Sequence, residues 1–119
     1  DVYKRQATVN ATVLKTSVGT TENVKIAQVT NLVQAIQELK ESGYWIVGTD
    51  MTNSTDYRKI DYTGKTAIII GNEGSGMSRL VRESCDFIAR IPMYGKVNSL
   101  NASVSAGIMI YEVLRQKNK

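Results

Sequence analysis

Residues 67–76, Ala67-Ile68-Ile69-Ile70-Gly71-Asn72-Glu73-Gly74-Ser75-Gly76, carry an apolar β-branched run straight into a glycine-rich break. Residues 87–95, Phe87-Ile88-Ala89-Arg90-Ile91-Pro92-Met93-Tyr94-Gly95, follow the same plan. Each break opens a helical pattern. Met77, Leu80 and Val81 share a face after the first, and Leu100, Val104, Gly107, Ile108, Tyr111 and Leu114 recur at helical spacing after the second. Continuous apolar strands alternating with helices predict a parallel sheet covered on both faces. In such sheets ligands lie beyond the carboxyl ends of the strands, where both loops fall.

Outward from these units, the pattern predicts strands near Lys25–Val29, Tyr44–Gly48, Thr66–Ile70 and Asp86–Ile91. Thr30 or Asn31 can cap a helix whose apolar stripe is Leu32, Val33, Ile36 and Leu39, with Gly43 just past its end. Met51 to Gly64 is polar and reads as a loop with at most a helical turn near Tyr57. Ala7 to Val18 is ambiguous. Ala7, Val9, Ala11 and Val13 alternate like a strand, whereas Val9, Val13 and Leu14 fit a short helix ended by Gly19. No linker or low-complexity stretch divides residues 1–119, so a single domain is expected.

Composition narrows the chemistry. The chain has no histidine and one cysteine, Cys85. This removes histidine-based acid–base catalysis, an internal disulfide and a zinc site; no metal is expected. Cys85 beside a core strand reads as an inert thiol in a reducing, cytoplasmic setting. No apolar run is long enough for a bilayer, so no membrane partner is expected. A net charge of +4 supports a nucleic-acid partner only weakly, and Arg79, Arg82, Arg90 and Lys96 read singly as solvated surface.

Gly71, Gly74 and Gly76 let the backbone bend and approach a ligand closely. A glycine-rich turn opening a helix is also a generic anion cradle, but this one lacks the Walker lysine and misses the dinucleotide spacing. Glu73 inside it repels phosphate and tolerates a cationic ligand. In the second loop Asn98 or Ser99 suits a helix cap. Asn101 falls inside the helix, where asparagine is mildly disfavoured, and so stands out as a candidate site residue. Gly107 in mid-helix costs roughly 1 kcal/mol relative to alanine, which close packing against another backbone would justify. Ile108, Met109, Ile110 and Tyr111 make the helix apolar on more than one side, as at an interface or in a deep core.

Ile70-Gly71-Asn72-Glu73-Gly74-x-Gly76 and Ile91-Pro92-Met93-x-Gly95-x-x-x-Ser99-Leu100-Asn101-x-Ser103 resemble the second and third motifs of the SpoU/TrmH-type RNA 2′-O-ribose methyltransferases of the SPOUT superfamily, in particular the ribosomal-RNA guanosine group. Trp45-Ile46-Val47-Gly48-Thr49-Asp50 resembles the strand that precedes them. The resemblance implies an α/β fold, a mostly parallel sheet with helices on both faces and a C-terminal deep trefoil knot that packs Gly107 against another backbone, and it favours a helix over Ala7–Val18. It implies S-adenosyl-L-methionine as methyl donor, held by Thr49, Gly71, Gly74, Ile91, Met93 and Leu100, with Ile70, Ile91 and Leu100 as apolar walls. Glu73, Ser99 and Asn101 are the implied catalytic residues, orienting the target ribose and the donor. RNA is the implied partner, ribosomal before transfer RNA, and a homodimer through the last helix the implied assembly.

The family's first motif, an asparagine-glycine loop followed by an arginine-threonine-alanine helix, has no match here, which implies an N-terminally truncated domain. Two other readings therefore stand beside an active methyltransferase. One is a knotted donor-binding and dimerisation module without turnover. The other is a generic nucleotide-binding α/β domain.

Overall fold

A computed structural model of the chain describes residues 11–16, 24–71, 77–92 and 102–118. The elements in order are β1 (Ala11–Thr16), β2 (Val24–Val29), α1 (Leu32–Glu41), β3 (Trp45–Thr49), β4 (Thr55–Asp56), a 3₁₀ turn (Tyr57–Lys59), β5 (Thr66–Gly71), α2 (Arg79–Ser84), β6 (Phe87–Arg90) and α3 (Ala102–Lys117). One six-stranded sheet runs in the order β2-β1-β5-β3-β6-β4. β3 is parallel to both of its neighbours, β5 and β6, and β4 extends the parallel half beyond β6. β1 is antiparallel to both β2 and β5, so the sheet is mixed.

The four strands expected from the sequence are all present. The helix favoured over Ala7–Val18 is not: Ala11–Thr16 is a strand. Its register explains the outcome. Thr12 sits opposite Gln28 on one side and Ile70 on the other, and Leu14 opposite Ile26 and Ile68. Ladders on both edges pair its backbone groups, and the β-branched Thr12, Val13 and Thr16 suit a pleated surface. The Thr16 hydroxyl also donates to the Thr66 carbonyl at 3.3 Å.

Alternation along the strands divides the core between two faces. Ala67 and Ile69 of β5, Ile46 of β3 and Val13 of β1 pack with Ile36 of α1 and Val81 of α2. Ile68 and Ile70, Val47 and Leu14 pack on the other side with Met109 and Val113 of α3. α1 begins as expected, with the Asn31 side chain accepting from the Gln34 N–H at 3.2 Å, and is followed by Gly43 at φ +89°.

Three expectations about helix faces need correction. Leu80 is exposed, and α2 contributes Val81 alone to the buried core. In α3 the residues buried against the sheet are Met109, Glu112 and Val113, while Val104 and Tyr111 of the expected stripe are exposed, Tyr111 at 79%. The helix is apolar on more than one side, so its periodicity marked the outward face as readily as the inward one. A Cβ on Gly107 would meet no described atom within 4 Å, so the close approach expected there is absent among the described residues. The C-terminal knot expected from the resemblance is not shown by the described residues, which omit 93–101. No helix among the described residues is long and apolar enough to cross a membrane.

Candidate functional site

β3, β5 and β6 end side by side, bringing Thr49, Gly71 and Ile91 to one edge of the sheet. All three are partly exposed there. Thr49 and Asp50 are fixed by neighbours on either side: the Thr49 hydroxyl donates to the Ile69 carbonyl at 2.9 Å, and the Asp50 N–H donates to the Ala89 carbonyl at 3.0 Å. Pro92 follows β6 and offers no N–H, so pairing stops at Arg90. Ile91 packs against the core cluster beneath α3. Ile70 is only 2% exposed and lies wholly within that cluster, so its side chain serves the core rather than an open pocket wall.

The segment leaving β3 is held by two arginines that the sequence reading treated as surface. The Arg82 guanidinium on α2 donates to Asp50 Oδ2 at 2.7 Å, to the Asn53 carbonyl at 2.8 Å and to the Thr52 carbonyl. Asn53 adopts φ +46°, a left-handed conformation that asparagine tolerates better than most residues. Asp50 Oδ1 accepts from the Thr52 N–H at 3.3 Å. Arg90 of β6 donates to the Ser54 carbonyl at 2.6 Å and to its hydroxyl at 3.2 Å. Both guanidiniums are thus committed to protein acceptors. Arg79, in contrast, is solvated and, among the described residues, pairs with Glu83 one turn along. No signal in the sequence could have paired Arg82 with Asp50, 32 residues away.

Beneath this edge, Gly48 is buried where a Cβ would lie 2.7 Å from Met77 Sδ and Cε and 2.8 Å from Cys85 Sγ. The Cys85 thiol donates to the Val81 carbonyl, and burial pushes its pKa up to about 11, which keeps it protonated and inert as expected. Among the described residues no group of three or more His, Cys, Asp or Glu could hold a metal.

The described part of the edge is partly apolar: Thr49, Gly71, Ile91 and Pro92 carry no charge, Arg82 is paired with Asp50, and Arg90 is held by the carbonyl and hydroxyl of Ser54. Such uncharged positions suit a nucleoside better than a polyphosphate. Of the residues expected to form the site, Glu73 and Gly74, and Met93, Ser99, Leu100 and Asn101, lie outside the described residues.

The SpoU rRNA Methylase family model matches residues 2–111. The chain belongs to this family. A Staphylococcus saprophyticus protein assigned to the TrmH family of tRNA/rRNA methyltransferases is 53% identical over 115 residues, which are 97% of this chain and 46% of that relative. The chain thus spans about half the length of the curated relatives it matches. Among solved SpoU-type structures, a TrmH/SpoU tRNA-modifying enzyme of A. aeolicus superposes with a TM-score of 0.69 at 43% identity, covering 76% of this chain and 46% of that one. An RNA 2′-O ribose methyltransferase gives 0.68 at 31% identity, covering 72% and 33%. AviRb from Streptomyces viridochromogenes, a SpoU methyltransferase solved in complex with the cofactor AdoMet, gives 0.62 at 35% identity, covering 73% and 35%.

Proposed function

We propose that this chain is the donor-binding part of an RNA methyltransferase that transfers a methyl group from S-adenosyl-L-methionine to a ribose 2′-hydroxyl. The observation that carries this reading is the convergence of Thr49, Gly71 and Ile91 at one sheet edge in a chain of the SpoU family. The uncharged character of Thr49, Gly71, Ile91 and Pro92 supports a nucleoside over a polyphosphate. When bound, the donor supplies an electrophilic methyl group. The main-chain groups of Gly71, Ile91 and Leu100 hold its adenosine, with Thr49, Gly74 and Met93 beside it. Glu73, Ser99 and Asn101 orient the ribose so that its 2′-oxygen attacks in line. Positioning of this kind supplies much of the acceleration in such a transfer.

The substrate in this reading is ribosomal RNA before transfer RNA, the assembly is a homodimer, and the setting is the cytoplasm. The exposure of Val104 and Tyr111 on α3 supports a subunit interface there. A C-terminal trefoil knot threads α3 through the preceding loop.

A second reading, donor binding and dimerisation without turnover, is favoured by one observation: residues 1–119 contain no asparagine-glycine loop followed by an arginine-threonine-alanine helix. Loss of a general base typically removes roughly 10²- to 10⁴-fold in rate. Calorimetric titration with S-adenosylhomocysteine and with ATP, beside radiolabelled methyl transfer to unmodified ribosomal and transfer RNA, separates the readings. Homocysteine-analogue binding with transfer to RNA ribose supports the enzyme. Binding without transfer supports the module. Preference for ATP would overturn both.

A further inference from the structure

We propose that Arg82 is a positioning residue for the methyl-donor site, acting through the segment that leaves β3. The inference rests on the function proposed above and adds to it a residue that acts through another segment. Arg82 lies on α2, the helix that follows the stretch after Gly71. Its three acceptors, Asp50 Oδ2 and the carbonyls of Thr52 and Asn53, lie on one short segment directly after Thr49. The guanidinium therefore joins the end of β3 to the structure that continues from β5, the two places where Thr49 and Gly71 present themselves at the edge.

Two features separate this from an ordinary surface ion pair, which is worth little. The side chains are mostly shielded, 25% exposed for Arg82 and 15% for Asp50. Two of the acceptors are main-chain carbonyls, so the fork fixes backbone rather than a flexible side chain. The fixed backbone includes Asn53 at positive φ, a conformation that tertiary contacts must hold. Thr49 is tied sideways to Ile69 and Asp50 to Ala89, so Asp50 is the point at which the segment gripped by Arg82 meets the lip of the site. Lysine cannot replace the fork, because one ammonium on a flexible stem does not span a carboxylate and two carbonyls in fixed geometry.

The test is calorimetric titration of the full chain with S-adenosylhomocysteine, well below the melting temperature, for wild type, Arg82→Ala, Arg82→Lys, Asp50→Ala and the Arg82→Ala/Asp50→Ala double variant. Arg79→Ala, on the same helix but solvated, is the control. Arg82→Ala is expected to weaken binding roughly tenfold or more, since small misplacements at a site are costly. Arg82→Lys should recover only part of that loss, and the double variant should bind no worse than the weaker single one. Arg79→Ala should match wild type. A purely structural role would lower the melting temperature and leave the affinity of the folded protein unchanged. Wild-type-like affinity in folded Arg82→Ala, or in Arg82→Lys if the alanine variant does not fold, overturns the inference while leaving the proposed function standing. Absence of binding in wild type overturns both.

Discussion

Gln116 and Tyr62, 54 residues apart, are joined by a side-chain amide that closes a gap in the backbone. Gln116 Oε1 accepts from the Tyr62 N–H at 2.8 Å, and its Nε2 donates to the Ile60 carbonyl at 2.8 Å. The amide thus pairs one N–H and one carbonyl of a segment that belongs to no ladder, and fastens the end of α3 to it. Tyr62 is fully buried, with its hydroxyl donating to the Tyr57 carbonyl at 2.6 Å, and burial raises its pKa well above the ordinary tyrosine range. Gln116→Ala leaves two partly buried main-chain groups unpaired and should cost about 1–3 kcal/mol. Urea unfolding checks this; an unchanged midpoint would show that water replaces the amide at no cost.

Glu112 makes a second prediction, in pH. Its carboxylate is 6% exposed and receives the Arg115 fork at 3.0 and 2.7 Å, with Gln116 Nε2 at 2.8 Å. The hydrogen bonds from Arg115, followed by that from Gln116, hold its pKa below the ordinary 4.5 despite burial. Asp56 is lowered by Arg58 and Asp61 by Thr63. A depressed folded-state pKa means that the unfolded chain takes up protons first as the pH falls. The stabilisation is therefore complete above the unfolded value and is lost on acidification through the folded one. Arg115→Ala should destabilise the folded chain only modestly at neutral pH, because solvent around Arg115 screens the pair. The gap from wild type should close as the pH drops below 4.5, read from urea midpoints across an acid series. A gap that does not vary with pH would contradict the assignment.

Gly48 tests the packing under the site. A methyl group there meets the flexible end of Met77, which can give way, and Cys85 Sγ, whose short side chain cannot move far. Gly48→Ala should destabilise by about 1–3 kcal/mol, as overpacking does. Adding Cys85→Ala should restore part of the loss. Thermal melting of the single and double variants decides it, and equal losses in both would place the strain elsewhere.

Gly74 tests the first loop. If that loop approaches the donor, Gly74→Val should weaken S-adenosylhomocysteine binding more than it lowers the melting temperature. A plain turn glycine would behave in the reverse way, costing about 1 kcal/mol or more of stability with affinity intact.

The sequence disclosed the central strands because burial on both faces leaves no room for polar residues, as in Ala67-Ile68-Ile69-Ile70. It also disclosed the cap at Asn31 and the stop at Gly43, which are local chemistry. β1 was hidden because its spacing fits either period, and the deciding ladders come from β2 and β5. β4 is two residues long, too short for any periodicity. Tyr62 sits in a polar stretch that reads as loop, yet it is a core residue because the chain folds back under α3. At the site edge, Gly48-Thr49-Asp50 was legible as the end of a strand, whereas the role of Arg82 depended on where α2 came to rest.

The antiparallel placement of β1 beside β5 has a consequence for synthesis on the ribosome. Thr16 pairs with Thr66, 50 residues later in the chain. At roughly 5–20 residues per second, β1 leaves the exit tunnel several seconds before its inner partner exists. In that interval β2 is the only neighbouring strand already made, pairing Thr16 with Val24, and the other edge of the hairpin stays open. Nascent chains on adjacent ribosomes therefore present Ala11, Val13 and Leu14, fully or almost fully buried in the finished sheet, as an unpaired edge. Arrival of β5 closes that window by pairing the open edge from Ala11 to Thr16.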